Sequence, residues 1–425
     1  MRFVLWLMAL FAVAVASALF AGNNHSTVTV FWAPHRVDLS LNLVLLVLAG
    51  SFGVLHFALR ALSGLLRIPQ QAKRWRLLQK ERAIQGALLD SMAHLVSGRF
   101  VRARKQAELV VSLEESVRRS GESLGYEGRL RTIAHLLAAE SAHALQDRPV
   151  REAHFQQALE YSNSRDAQEA RDGVQLRAAR WAFDDRDAAA SMQWLDQLPQ
   201  GTARRTAALR LRFKAARLAG QSRSALETAR MLTKHRAFSA SAGNSIARGL
   251  AIELIRGAHD PVQIQRAWDT LDVNEQQMPE VAIEAAQRLL DHGGDVTISR
   301  QWLLPIWEAM VRTPDALSLT QRVRLVRVLE GGFIVADGTP DAVWLTRIET
   351  AQSHNPRDAV LQYLAGVVCM RLSLWGKAQQ MLKQSLSLMQ DADLKRDAWR
   401  ALATLAEQRQ DAKATTDAYR EAAKR

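Results

Sequence analysis

The chain is nearly devoid of cysteine, since Cys369 is the only one among 425 residues. A lone cysteine excludes an intramolecular disulfide and any metal or iron–sulfur site built from several thiolates. It also fits a reducing compartment. Cys369 falls at a packed position of a predicted helix, where a thiol behaves as a small apolar side chain. We therefore expect no catalytic role for it.

The sequence also lacks the short motifs that carry common enzyme chemistry. The pair Gly331-Gly332 does not belong to a G-x-G-x-x-G dinucleotide fingerprint. P-loop, nucleophile-elbow and H-E-x-x-H patterns are absent as well. We expect a protein that is not an enzyme, with no catalytic residue, no metal site and no cofactor.

What the chain does contain is two uncharged apolar runs at its start, Phe3–Gly22 and Leu39–Leu59. Each has the ~20 residues that a helix needs to cross a bilayer. Between the two runs, Val28, Val30 and Trp32 alternate with polar residues, which predicts a short β-hairpin on the outer face. The alternative for the first run is a cleaved signal peptide, because small residues at 16–21 fit a peptidase.

Positive charge follows the second run. From Arg60 to Arg82 the chain carries many Lys and Arg residues and a single acidic one, Glu81. Cytoplasmic flanks collect such residues, so both chain ends are expected in the cytoplasm, with a multi-pass membrane anchor between them. Four of these residues are expected to attract anionic lipid headgroups, at ~1 kcal/mol each: Lys73, Arg74, Arg76 and Lys80.

The net charge of +13 and the pI near 10.4 also raise the question of nucleic acid. No recognisable motif for binding DNA or RNA accompanies the charge, so we expect no nucleic-acid partner. The expected partners are the membrane and other proteins.

Beyond Arg67 the pattern is helical almost throughout and weakly repetitive. The clearest unit places small residues at Gly366 and Ala403, 37 residues apart, with Trp375 and Trp399 as large residues of the helix pairs. This spacing is typical of tetratricopeptide repeats, in which helix pairs stack into a superhelix with a concave surface. The predicted fold class is all-α, a two-helix transmembrane hairpin followed by a tetratricopeptide-like α-solenoid. The predicted domains are a hairpin at 1–60, a basic juxtamembrane helix at 61–82 and a cytoplasmic solenoid at 83–425.

The repeat register predicts which side chains line the concave face. Arg210, Lys214 and Arg217 recur at helical spacing and form a basic stripe. Such a stripe suits acidic peptide groups or porphyrin propionates, and the alternative is a charged face in contact with water. The same register adds five further candidates for partner binding: Glu140, His143, Tyr363, Met370 and Arg371.

His56 lies inside the second apolar run. An ionisable group within a membrane is a candidate functional residue, and histidine can ligate haem. The alternative is a helix-end histidine that reaches the interface beside Arg60. Haem or porphyrin binding, on the concave face or at His56, therefore stays an open alternative.

The chain resembles the proteobacterial HemY proteins of the inner membrane. The resemblance rests on the two apolar runs and on three further segments, His135–Glu140, Gln265–Leu290 and Asn355–Leu386. The third, with Asn355-Pro356-Arg357-Asp358 leading to Leu374-Trp375-Gly376-Lys377-Ala378, is the most specific. The stretch Trp307–Asp341 is longer than that family pattern.

The resemblance implies a non-enzymatic membrane scaffold tied to a late step of protohaem synthesis, with ferrochelatase or other haem-synthesis enzymes as partners. The same family name is used for a flavin-dependent protoporphyrinogen oxidase, whose fingerprint is missing from this chain. The competing functions are a haem or porphyrin carrier and a general scaffold for envelope assembly.

Overall fold

The structure, a computed structural model, describes residues 2–22, 26–335 and 342–424. Within these ranges the side chains at 2–5, 7, 9, 20, 21, 64–74, 314, 334, 335 and 342 are not described. The chain divides into two compact units, Met1–Arg171 and Asp172–Arg425.

The first unit holds the only strands of the described chain, followed by long helices. Its elements are α1 Arg2–Gly22, β1 Thr27–Trp32, β2 His35–Ser40, α2 Leu41–Val96, α3 Phe100–Arg119, α4 Glu127–Ala144 and α5 Arg148–Tyr161. α6, Gln168–Asp184, begins at the boundary.

The second unit is helical throughout its described residues. Its helices are α7 Ala188–Asp196, α8 Gln200–Ala203, α9 Thr206–Leu218, α10 Ser222–Lys234, α11 Ala240–Arg256, α12 Pro261–Asp269, α13 Val273–Gln276, α14 Pro279–Asp291, α15 Val296–Arg312, α16 Leu319–Val335, α17 Ala342–His354, α18 Ala359–Arg371, α19 Trp375–Leu388, α20 Ala392–Gln408 and α21 Ala412–Ala423.

The membrane region contains the predicted hairpin and one clear span. β1 and β2 pair antiparallel, with Thr27 opposite Ser40 and Trp32 opposite His35. Within the described residues, Leu41–Ser63 is the one helical segment long and apolar enough to cross a membrane, and none of it is buried in the protein. α1 is a 21-residue helix of which only Leu10–Leu19 counts as an apolar segment among the described side chains. The first span therefore stays a prediction.

α2 is longer than the sequence suggested. It runs for 56 residues without interruption, from the membrane segment into the helical part of unit 1. It crosses both predicted boundaries, 60/61 and 82/83, as a single helix. Ser40 caps its start by accepting a hydrogen bond from the Leu43 amide.

Successive helices of unit 1 pack as antiparallel neighbours joined by short turns. α2 packs on α3, α3 on α4 and α4 on α5. The core between α2, α3 and α4 is formed by Ile84, Ala87, Val110, Val117, Leu130 and Ala134. Small residues at these contacts let the helices approach closely.

The turns between paired helices share one chemistry. Gln146, Arg186 and Gln410 adopt positive φ, which reverses the chain after a helix. Each is followed by an aspartate whose carboxylate caps the next helix, as Asp147 does for the Val150 amide. The same turn therefore recurs along the chain, as expected for a helical repeat.

Unit 2 continues this plan. α18 packs on α19 and α20 on α21, while α18 also contacts α16 and α20. A Cβ added at Gly366 would lie 2.7 Å from Cγ of Leu382 in α19, which confirms Gly366 as a close-approach position. The stretch Trp307–Asp341, longer than the family pattern, consists of the end of α15, a 3₁₀ turn at Pro314–Ala316 and α16, and its residues 336–341 lie outside the described ones. The all-α, tetratricopeptide-like class is confirmed.

Candidate partner-binding surfaces

The basic stripe lies on the exposed face of α9. The opposite face of the helix buries Leu209, Ala215 and Ala216 in the core. α9 contains four basic residues and no acidic one. Arg210 and Lys214 are exposed, and neither has an ion-pair or hydrogen-bond partner among the described residues.

The third residue of the stripe is partly engaged. Nη1 of Arg217 lies 3.6 Å from Oε2 of Glu253 on α11, and both side chains are half exposed. Solvent-exposed pairs of this kind contribute little to stability. Arg217 can therefore exchange this contact for one with an acidic ligand at small cost.

Glu140 and His143 lie on α4, in unit 1, and are partly buried. Nη1 of Arg151 donates to Nδ1 of His143 at 3.0 Å. These two residues belong to the first unit and the stripe to the second.

Tyr363, Met370 and Arg371 are brought together in one pocket of about 350 Å³. The pocket lies among α16, α18, α19 and α20, and its other lining residues include Glu330, Trp375, Asp397 and Arg400. Tyr363 was expected to be exposed, but it is 1% exposed and its ring belongs to the core. Its hydroxyl contacts Glu330 at the floor of the pocket.

A partly buried acid, Glu330, forms this floor. The Tyr363 hydroxyl donates to the Glu330 carboxylate at 2.9 Å. Burial raises the pKa of Glu330, and burial beside that carboxylate raises the pKa of Tyr363. At the rim, Arg371 is exposed and its charge opposes the rise in the pKa of Glu330, whereas Asp397 pairs with Arg327 at 3.2 Å and with Arg400 at 3.3 Å.

Sequence reasoning missed Glu330, Asp397 and Arg400. A signal was present for Arg400, because it precedes Ala403 by three residues as Tyr363 precedes Gly366. Arg400 therefore occupies in the next repeat the position that Tyr363 has in its own.

The predicted membrane-surface residues differ in what the structure shows. Lys73 and Arg74 lie in α2, but their side chains are outside the described ones. Arg76 is exposed without a described partner. Lys80, in contrast, donates to the Ser116 carbonyl at 3.3 Å and the Ser120 hydroxyl at 2.9 Å, at the end of α3.

Lys80 is also the predicted membrane-surface residue that lies farthest along α2 from the apolar segment. Lys80 lies 17 residues beyond Ser63, the end of the span. At 1.5 Å per residue this is up to ~25 Å of helix, beyond the ~8 Å over which salt screens charges. The structure gives Lys80 a role in holding α2 to α3, and its contact with lipid headgroups stays a prediction.

A second buried polar cluster, in unit 1, joins α3, α4 and α5. Arg131 makes a bidentate pair with Glu114, at 2.6 and 2.7 Å, and its guanidinium lies 5.1 Å from the Tyr161 ring centre. Nδ1 of His135 lies 3.0 Å from Nδ1 of His154. Burial lowers the pKa of His135 to about 4, and it also lowers that of His154. Both rings are thus neutral at pH 7, which suits a hydrogen bond between them.

Neither cluster is arranged as a metal centre. Among the residues that the structure describes, no group of three or more His, Cys, Asp and Glu side chains has suitable geometry. Cys369 is fully buried, and burial raises the pKa of its thiol. His56 makes an edge-on contact with Phe57, with ring centres 5.9 Å apart.

Comparison with known protein families gives a match for the N-terminal part of the chain. Residues 26–146 match the family described as HemY protein N-terminus. None of the curated proteins matches the sequence significantly.

Three solved structures are similar over most of this chain. The APC/C hetero-tetramer Cut9–Hcn1 has 13% identity and a TM-score of 0.29, covering 80% of this chain and 66% of that one. The P58(IPK) TPR domain has 15% identity and a TM-score of 0.22, covering 77% and 99%. Naa15/Naa10 bound to HypK-THB has 11% identity and a TM-score of 0.23, covering 77% and 57%.

Proposed function

We propose, starting from the HemY-type N-terminal region formed by residues 26–146, that this protein is a non-enzymatic membrane scaffold for a late step of protohaem synthesis. Anchored in the bacterial inner membrane by two spans, it presents its helical repeats to the cytoplasm. There it organises haem-synthesis enzymes, ferrochelatase among them. The match over residues 26–146 is the observation that carries the proposal.

The anchor supports a role at the membrane. Leu41–Ser63 is long and apolar enough to span the bilayer, and α2 continues from it directly into unit 1. A partner bound to the helical pairs would be held close to the membrane, where its hydrophobic substrates are concentrated.

The basic stripe supports protein capture. Arg210 and Lys214 project from a rigid helix and are not neutralised by described neighbours, so they can bind carboxylates of an acidic segment. A helix face holds such side chains at fixed spacing, which favours a specific partner.

The test is affinity capture of the full-length protein from mild detergent, read by mass spectrometry. The variant reverses Arg210, Lys214 and Arg217 to Glu. The matched control reverses Lys383, Lys395 and Lys413 to Glu, which makes the same change in charge at exposed lysines elsewhere in unit 2. We expect haem-synthesis enzymes with wild type and control, their loss with the stripe variant, and weaker capture as salt rises.

Other outcomes point to the competing functions. Capture of envelope-assembly proteins in place of haem enzymes would replace the proposal with a general envelope scaffold. A Soret absorbance band on the purified protein would favour a haem or porphyrin carrier, with the pocket at Arg371 and Trp375 or His56 as the first site to alter. Equal capture by the stripe variant and the control would show that the stripe is a solvated face.

A further inference from the structure

Beyond the membrane, α2 has two faces of different character. One face is buried against α3, where Ile84 and Ser91 are fully inaccessible and Ala87 nearly so. The Ser91 hydroxyl donates to the Ala103 carbonyl of α3 at 2.9 Å. This face holds α2 in unit 1.

The opposite face exposes large apolar side chains. Leu89 is 66% exposed and Val96 89%, and Trp75, Leu78 and Met92 are exposed as well. Scattered exposed apolar residues are normal, but these lie in one row. With Arg82 and Gln85 included, the row advances by alternating steps of three and four residues from Trp75 to Val96. That is the heptad spacing of a and d positions.

The same register can be continued through the membrane segment, which is apolar on every face. Extended backwards from Trp75, it passes through Leu43, Val47, Gly50, Val54, Phe57, Ala61, Gly64, Ile68 and Gln71. Pro69, which removes one backbone hydrogen bond from the helix, falls at a b position off this row. The row, here called the α2 seam, therefore extends over almost the whole helix.

An exposed apolar row with seven-residue spacing, interrupted by Gln71, Arg82 and Gln85, suits contact with a partner helix. An isolated α-helix drifts by about 20° per heptad, so a seam kept in register over many heptads suits left-handed supercoiling around a second helix. A soluble partner could cover only the part beyond residue 63. The occupant of the whole seam must be a membrane-spanning helix with the same pattern.

We propose that the α2 seam pairs with the α2 seam of a second copy of this chain, as a parallel coiled coil that starts in the membrane and continues into unit 1. Membrane insertion sets every copy in the same orientation and at the same depth. Identical heptad positions therefore face each other without a search for register. Arg82 and Gln85, polar positions in the middle of the seam, further restrict which register is accepted.

The test is disulfide cross-linking of the full-length protein in native membranes. Leu89→Cys and Met92→Cys place a thiol on the seam, and Ala83→Cys places one at an exposed b position of the same helix. Cys369 remains in all three proteins as a common background, because it is fully buried. Under mild oxidation we expect a dimer band for the two seam variants and little or none for Ala83→Cys.

A second measurement uses the purified protein in detergent. The double variant Leu89→Glu, Met92→Glu should elute at the mass of one chain, and the wild type at the mass of two, with equal helix content by circular dichroism. Equal cross-linking at residues 83, 89 and 92, or no cross-linking at any of them, would overturn the proposal. A wild type that has the mass of one chain would overturn it as well. Loss of the dimer is read without reference to captured enzymes, so it is independent of the proposed function.

Discussion

The hydroxyl oxygen of Tyr363 lies 3.0 Å from Oε1 and 2.9 Å from Oε2 of Glu330, on neighbouring helices α18 and α16. The two helices belong to successive repeats, and Asp397 on α20 lines the same pocket. A polar contact thus joins repeat to repeat at the point where the apolar core ends and the pocket begins.

Removal of the Tyr363 hydroxyl should destabilise unit 2. Tyr363→Phe leaves the partly buried Glu330 carboxyl without this donor. Loss of a partner at a fully buried group typically costs about 1–3 kcal/mol, so we expect the lower end of that range here. Thermal melting by circular dichroism should show an earlier transition than in wild type. The control, Tyr419→Phe, removes a hydroxyl from a ring that is 45% exposed and should melt like wild type. Equal melting of both variants would mean that the contact adds nothing to stability.

The free energy of unfolding should fall as pH decreases from about 6.5 towards 4. In the unfolded chain the pKa of His135 is near 6.5, whereas in the folded chain burial lowers it to about 4. The unfolded state therefore binds more protons in this window, and the difference amounts to at most ~3 kcal/mol. His154, whose pKa is also lowered, acts in the same direction.

Chemical denaturation at several pH values measures this effect. His135→Asn should flatten the dependence on pH between 6.5 and 4. His259→Asn, at an exposed position of unit 2, should leave the dependence as in wild type. A wild-type stability that stays constant across this window would contradict the buried, neutral state of the pair.

Gly366→Leu should destabilise the α18–α19 pair. Even a Cβ at this position lies 2.7 Å from Leu382 Cγ and 3.2 Å from the Leu382 backbone nitrogen, so α19 must move to admit a larger side chain. Overpacking of this kind typically costs ~1–3 kcal/mol. Gly376→Ala is the matched control, because a Cβ there meets nothing within 4 Å. We expect a lower melting temperature for the first variant only.

The topology prediction places the β-hairpin on the outer side of the membrane and the helical units on the cytoplasmic side. A cysteine in place of Val37, in β2, should react with a membrane-impermeant maleimide in intact spheroplasts. A cysteine in place of Ala83, in the exposed part of α2, should react only after lysis. Reaction of both, or of Ala83→Cys alone, in intact spheroplasts would exclude the N-in, C-in arrangement.

Much of the architecture could be predicted from local patterns. Each of three local patterns indicates the environment of a single element. The apolar run at Leu39–Leu59 indicates lipid, the alternation around Val28 indicates a strand, and the helical periodicity indicates packing against a core. Gly366 was found in the same way, because a missing side chain at repeat spacing indicates close helix packing.

Other features depend on residues that are distant in the sequence. Lys80 looked like a lipid-facing charge, but the end of α3 holds its ammonium through Ser116 and Ser120. Tyr363 looked like a surface residue, but packing of α18 between α16 and α20 buries its ring. Neither contact can be predicted from the residues next to Lys80 or Tyr363 in the sequence.

The sequence by itself determined that this protein is helical, repetitive and basic and contains an apolar segment long enough to span a membrane, because length, periodicity and charge act residue by residue. Only the tertiary structure decided which of its polar groups remain exposed and able to bind a partner. Burial and pairing depend on which helices meet, so Glu330 became the floor of a pocket, while Arg210 and Lys214 kept their charges exposed and unpaired among the described residues.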